Sequence, residues 1–212
     1  MDNAALKTFA QKSRTDLMAQ TGAQLKLVLS SDSLERREYP NAIRDLEKRI
    51  ADKGKDAVIE KVAYTWFNRF CALRFMDVNH YNPVGIVSPA EEQIQPEILG
   101  EAKMGIIDDD VVPLKSRQKI TDLLSGRLQS RDAQGEAYRL LLVSYCNQLH
   151  KAMPFLFEHI TDYTELLMPT SLLATSSILS ECRKVLTTES CKDVEVIGWL
   201  YQYYISERKA EV

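Results

Sequence analysis

Apolar residues recur along this chain at spacings of three and four, and the densest run lies at about residues 57–79. Ile59, Val62, Trp66, Phe70 and Leu73 fall on one helical stripe, and Phe67, Cys71 and Phe75 form a second stripe beside it. A helix apolar on nearly every side belongs at the centre of a packed domain. It is not a membrane span, because Asn68, Arg69, Arg74 and Asp77 interrupt a run that would need roughly 20 apolar residues. An unpaired buried charge is costly, so Asn68, Arg69 and Arg74 must be paired inside the fold or face a cleft, and the expectation is structural polar groups paired with acidic side chains of neighbouring helices.

The flanking pattern is also helical. Leu6, Phe9, Ala10 and Leu17 predict an amphipathic helix over 3–20, broken near Gly22 and resumed through Leu25, Val28 and Leu29. Residues 30–40 read as a polar loop. Ile43, Leu46 and Ile50 then mark a helix over 41–53, with Gly54 at its C-terminal cap. Residues 80–113 hold four of the seven prolines, three glycines and the acidic run Asp108-Asp109-Asp110. That composition predicts a long loop, with a short helix near 97–104, and marks the expected site of a lid or partner contact. Further helices are expected at 116–125, closed by Gly126, at 136–152, stopped by Pro154, and at 162–168, 171–186 and 193–209. Period-two alternation is never sustained. The predicted fold is all-α, an irregular multi-helix bundle around the buried helix at about 57–79.

Composition narrows the class. The chain has 212 residues, 45% of them hydrophobic, enough for one substantial core or two small ones. Cys71, Cys146, Cys182 and Cys191 form no Cys-x-x-Cys pair, and the N-terminus has no basic and apolar leader. Both features point to a reducing, cytoplasmic setting. Residues 1–80 carry 14 Lys and Arg against 11 Asp and Glu, and the remainder carries 13 against 19. Neither part is basic enough to be a dedicated nucleic-acid module by charge alone.

A search for chemistry returns little. His80, His150 and His159 are not spaced as metal ligands, and Asp108-Asp109-Asp110 before Val-Val-Pro reads as a solvated loop. Glu207-Arg208-Lys209 has the letters of a nuclease motif but sits at a helix end rather than on a hairpin. Gly100 and Gly105 follow no apolar strand, so they are no phosphate loop. No catalytic, cofactor-binding or metal-binding residue is assigned. Trp199, Tyr201, Tyr203 and Tyr204 surround most of one helix and are the candidates for meeting another domain or chain. Lys7, Lys12, Arg14, Arg36, Arg37, Arg44, Lys48 and Arg49 are the candidates for weak, salt-dependent DNA contact, on the expectation that the first helices pack side by side.

Two stretches carry a resemblance. Val62-Ala63-Tyr64-Thr65-Trp66-Phe67-Asn68-Arg69-Phe70, continued by Leu73-Arg74-Phe75-Met76, and Val194-Glu195-Val196-Ile197-Gly198-Trp199-Leu200-Tyr201-Gln202-Tyr203-Tyr204 resemble the N-terminal region of the PglX family. These are the adenine-specific DNA methyltransferases of BREX phage-exclusion systems. Leu6-Lys7-Thr8-Phe9-Ala10 fits the same region. The resemblance implies a whole enzyme that moves a methyl group from S-adenosylmethionine to the N6 of adenine for phage defence. Its flipped adenine would be held by an Asn/Asp-Pro-Pro-Tyr/Phe motif. The chain lacks that motif, since Asn82-Pro83-Val84-Gly85 has neither the second proline nor the aromatic, and it lacks the glycine loop for the cofactor.

The reading is therefore that residues 1–212 are a helical N-terminal domain, a non-catalytic fragment without the catalytic domain. It would carry no cofactor itself, with S-adenosylmethionine expected for the full-length enzyme. Its partners would be the rest of the methyltransferase, DNA and other BREX components, with no membrane. The alternative is a free-standing helical protein–protein interaction module derived from that domain.

Overall fold

The computed structural model describes residues 3–154, 156–158, 160 and 163–206, and among them there are ten α-helices and no strand, only a single Pro89–Pro96 bridge. The helices are α1 (Asn3–Val28), α2 (Leu34–Glu38), α3 (Pro40–Lys53), α4 (Lys55–Val78), α5 (Glu97–Lys103), α6 (Leu114–Leu124), α7 (Ala133–His150), α8 (Tyr163–Leu166), α9 (Ile178–Val185) and α10 (Glu195–Ser206), with a 3-10 turn at Ser190–Lys192. The all-α expectation holds. Gly54 and Gly126 end α3 and α6 at φ of 85° and 76°, the left-handed region where a side chain would be strained.

Local chemistry explains where the boundaries depart from the pattern. α1 runs unbroken through Gly22, because Thr21, Leu25 and Val28 continue its buried stripe. Residues 30–40 are not all loop: the Ser33 hydroxyl accepts the Arg36 N–H at 3.3 Å and caps α2. α7 begins at Ala133 because Asp132 Oδ1 accepts the Gly135 N–H at 3.0 Å. The helix expected over 171–186 shrinks to α9, which starts only where the Ser177 hydroxyl caps the Ser180 N–H. Positions 207–209 of the last expected helix lie outside the described residues.

The chain divides into two compact units, with α4 contributing its first part to one and its last part to the other. The first unit takes in residues 69–159 and 170–194. Its helices α5, α6 and α7 pack on one another around Leu99, Ile120, Leu123, Tyr138 and Leu142, all nearly or fully buried. Here the long loop expected over 80–113 is pinned in its first part. Asp77 accepts hydrogen bonds from the backbone N–H groups of Ile86 (3.1 Å), Val87 (2.9 Å) and Ser88 (3.0 Å), from the Ser88 hydroxyl (2.8 Å) and from Asn82 Nδ2 (2.8 Å). Glu97 accepts the Gly85 N–H at 2.7 Å, and the Tyr138 hydroxyl donates to the Ile86 carbonyl at 2.9 Å. Val84, Ile86 and Val87 are buried as a result.

Arg74 belongs to the same lock. Its Nε donates to the Leu186 carbonyl at 2.9 Å and its Nη1 to the Ser88 hydroxyl at 2.7 Å, so its hydrogen bonds go to a carbonyl and a hydroxyl rather than to an acid. Burial pushes its pKa down, against the opposing pull of Asp77 and nearby thiols. Arg69 is buried and donates to the Glu158 carbonyl at 2.7 Å. Carbonyls satisfy a guanidinium well because its donors form a fixed planar fork.

The second unit takes in residues 2–68, 160–169 and 195–212. α1 lies along α10, α2 packs on α3, and α8 packs on α3. Its core includes Leu6, Leu17, Leu25, Leu46, Trp66, Phe67 and Tyr204. The Trp66 indole N–H donates to the Thr164 carbonyl at 2.9 Å, which satisfies the polar end of a fully buried ring. Asn68 is half-buried, one turn along α4 from Tyr64.

Candidate interaction surface and pocket on α10

Val196, Leu200 and Tyr204 recur every four residues on α10 and make its buried stripe. That stripe sorts the four aromatic candidates. Tyr204 is core: its ring lies 4.5 Å from Phe67 and 5.4 Å from Tyr64. Tyr201 is 46% exposed and meets Tyr64 edge-on at 5.8 Å. Trp199 and Tyr203, one turn apart, are half-buried and stack on each other at 6.1 Å. Three of the four therefore reach the surface.

Between the helices of this unit lies a pocket of about 260 Å³ that the sequence did not reveal. α4 contributes Ala57, Glu60, Lys61 and Tyr64, α10 contributes Tyr201, Tyr204 and Ile205, and α1 contributes Arg14. Glu60 and Arg14 pair at 3.2 Å, with Arg14 nearly buried and Glu60 a quarter exposed. Burial raises the Tyr64 pKa above its ordinary value.

The basic candidates separate into two groups. Arg14 is committed to Glu60, Arg36 to Glu47 at 2.7 Å, and Arg49 to Asp45 at 3.4 Å. Arg36 also donates to the Leu29 and Ser30 carbonyls at the end of α1, and Arg49 sits over the Tyr163 ring at 6.0 Å. Lys7, Lys12, Arg37, Arg44 and Lys48 stand exposed, Arg44 hydrogen-bonding Asn41. Of the first helices, α1 runs along α10 and meets α2, and α3 packs on α2 and α8.

Elsewhere, side chains that carry chemistry in other proteins do local structural work. His150 Nδ1 lies 2.7 Å from the Phe157 carbonyl, Asp108 Oδ1 accepts the Asp110 N–H at 2.9 Å, and Asp109 pairs with Arg117 at 3.4 Å. Asn82 is engaged by Asp77. His159 and the Glu207-Arg208-Lys209 run lie outside the described residues. Among the described residues no group of His, Cys, Asp and Glu is placed to hold a metal ion, and no helix is long and apolar enough to cross a membrane.

These features describe an all-α protein with an aromatic helix face beside a small tyrosine-walled pocket. No established family profile matches it. The chain is 41% identical over 170 residues to the adenine-specific methyltransferase BrxX of Escherichia coli O9:H4 (strain HS), a match to 79% of this chain and 13% of that protein. It is 32% identical over 253 aligned residues to the adenine-specific methyltransferase PglX of Lacticaseibacillus casei (strain Zhang), a match to 99% of this chain and 20% of that protein. The chain is thus homologous to the BREX adenine-specific methyltransferases and spans a fifth or less of the length of these relatives.

Proposed function

We propose that this chain is the helical, non-catalytic N-terminal domain of a BREX adenine-specific DNA methyltransferase, holding the catalytic remainder in place. The observation that supports this most directly is the match of 99% of the chain to only a fifth of such an enzyme, in a fold whose described residues form no sheet. S-adenosylmethionine binding and methyl transfer then belong to the remainder, and the setting is the cytoplasm. The exposed side of α10, with Trp199, Tyr201 and Tyr203, is the contact face. The test is a methyl-transfer assay with labelled S-adenosylmethionine and DNA. The isolated chain transfers nothing and binds no cofactor, and either activity in the isolated chain refutes the proposal.

A second reading, a free-standing interaction module, draws on the same exposed aromatics. Trp199→Ala with Tyr203→Ala would then abolish capture of a separate partner without unfolding the chain. The intact mass of the native product separates the two readings: several times 24.2 kDa for the first, 24.2 kDa for the second.

DNA contact is proposed only through the exposed Lys7, Lys12, Arg37, Arg44 and Lys48. Five phosphate contacts at most give a log–log salt slope no steeper than about −4.5. Affinity unchanged between low and high salt removes this contact.

A further inference from the structure

The pocket on α10 invites a ligand of definite chemistry. Its volume, about 260 Å³, falls below the roughly 300–1,000 Å³ of sites for whole small molecules, yet exceeds the roughly 150 Å³ that suffices for benzene. It fits one large ring. Three walls are themselves rings: Tyr64 meets Tyr201 at an interplanar angle of 66° and Tyr204 at 52°, so edges and faces of both orientations are offered to a guest.

Charge selects among ring-bearing guests. A carboxylate beside the rings would add to their pull on a cation, and here Glu60 is already paired with Arg14 at 3.2 Å. Among the described residues that line the pocket, the remaining formal charge is the exposed Lys61. A cationic guest would meet a neutralised acid and a like charge. A guest with a carboxylate next to its ring would meet Lys61 while the ring enters the pocket.

A nucleobase, the other common ring, suits the surroundings less well. Among the described residues that line the pocket, Arg14 and Lys61 are the cations, and Arg14 is paired with Glu60, so these two form no track along a phosphate backbone. We propose that the pocket is a receptor for a protein segment that presents a large aromatic side chain flanked by acidic residues, with the ring among Tyr64, Tyr201 and Tyr204 and a carboxylate at Lys61. The inference is argued from the pocket's own residues, one of which, Tyr201, also belongs to the contact face proposed above.

The experiment titrates the purified chain with acetyl-Asp-Trp-Asp-amide, followed by ligand-observed NMR, against acetyl-Asn-Trp-Asn-amide and deoxyadenosine monophosphate. The acidic peptide is expected to bind saturably and at least about fivefold more tightly than its neutral counterpart. Tyr201→Ala, at the exposed rim, weakens it about tenfold, and Lys61→Glu erases the preference for the acidic peptide; circular dichroism shows both variants folded. Equal binding of the two peptides overturns the proposal. So does a preference unchanged by Lys61→Glu, tighter Tyr201-dependent binding of the nucleotide, or no saturable binding of the acidic peptide at millimolar concentration.

Discussion

Asp77 is the residue on which the first unit's long loop depends, and its removal gives the sharpest test of the structure. It sits in the last turn of α4, where the helix dipole disfavours a carboxylate by roughly 0.3–1 kcal/mol. Helix preference therefore does not explain it. Five hydrogen bonds converge on its two oxygens: Oδ1 takes Asn82 Nδ2 and the Ile86 N–H, and Oδ2 takes the Val87 N–H and both donors of Ser88. Asp77→Asn keeps the size and one acceptor, but with Oδ1 retained it turns an amide NH₂ toward the Val87 and Ser88 N–H groups. Each buried donor left unmet costs about 1–3 kcal/mol, and Val87 is 1% exposed, so water does not easily replace the lost acceptor. Asp77 itself is half-buried, which limits the total. The expected loss is about 3 kcal/mol for Asp77→Asn and about 4 for Asp77→Ala, large for one polar side chain. Urea denaturation measures the loss, and hydrogen exchange locates it, with the amides of residues 86–88 losing protection first. A change under about 0.5 kcal/mol, with residues 86–88 as protected as before, would show that the carboxylate does not hold the loop.

Other perturbations follow from single contacts. Gly85→Ala would place a Cβ 2.5 Å from the Ser88 carbonyl oxygen and 3.1 Å from Glu97 Oε2, so it should destabilise by about 1–3 kcal/mol in the same urea assay. Gly22→Ala places its methyl at an ordinary 3.5 Å from Ile59 Cδ1, and Gly198→Ala meets nothing within 4 Å; each should stabilise by about 0.5–1 kcal/mol, visible as a higher urea midpoint. Burial pushes the Cys146 thiol up to about 12, against an opposing pull from Arg69, and the Tyr145 hydroxyl up to about 12. A folded-state pKa raised above the unfolded value leaves stability intact below about pH 9 and removes it as the pH climbs toward 12. Cys146 alone should account for about 2 kcal/mol of loss by pH 10.5. The check is that Cys146→Ala loses less stability than wild type between pH 8 and 10.5.

How far the sequence reached depended on how local each interaction is. The central helix was legible because residues 59–73 keep a helical period, and Gly54 and Gly126 marked helix ends because only their backbones take positive φ cheaply there. The inward face of α10 was also available, in the Val196, Leu200 and Tyr204 stripe, but the density of rings around the helix obscured it. The pinning of residues 82–88 was not legible. Its bonds join Asp77 to residues five to eleven positions away, and the partners of Arg74 include the Leu186 carbonyl 112 positions on. A proline-rich, strand-free stretch therefore read as the site of a lid or partner contact, although the carboxylates of Asp77 and Glu97 fasten its backbone.

The same distinction bears on the basic residues. Counting Lys and Arg assumes that each charge faces solvent, yet Arg14 crosses to Glu60, 46 positions away, and Arg36 closes the end of α1 while pairing with Glu47. A guanidinium serves such roles because its five fixed donors can satisfy a carboxylate and backbone carbonyls together. The lysines have a flexible point charge and remain at the surface: Lys7, Lys12 and Lys48 are all exposed. The surface open to an anionic partner is thus smaller and richer in lysine than the composition suggests, and any nucleic-acid affinity it has should be broad, weak and salt-sensitive rather than sequence-reading.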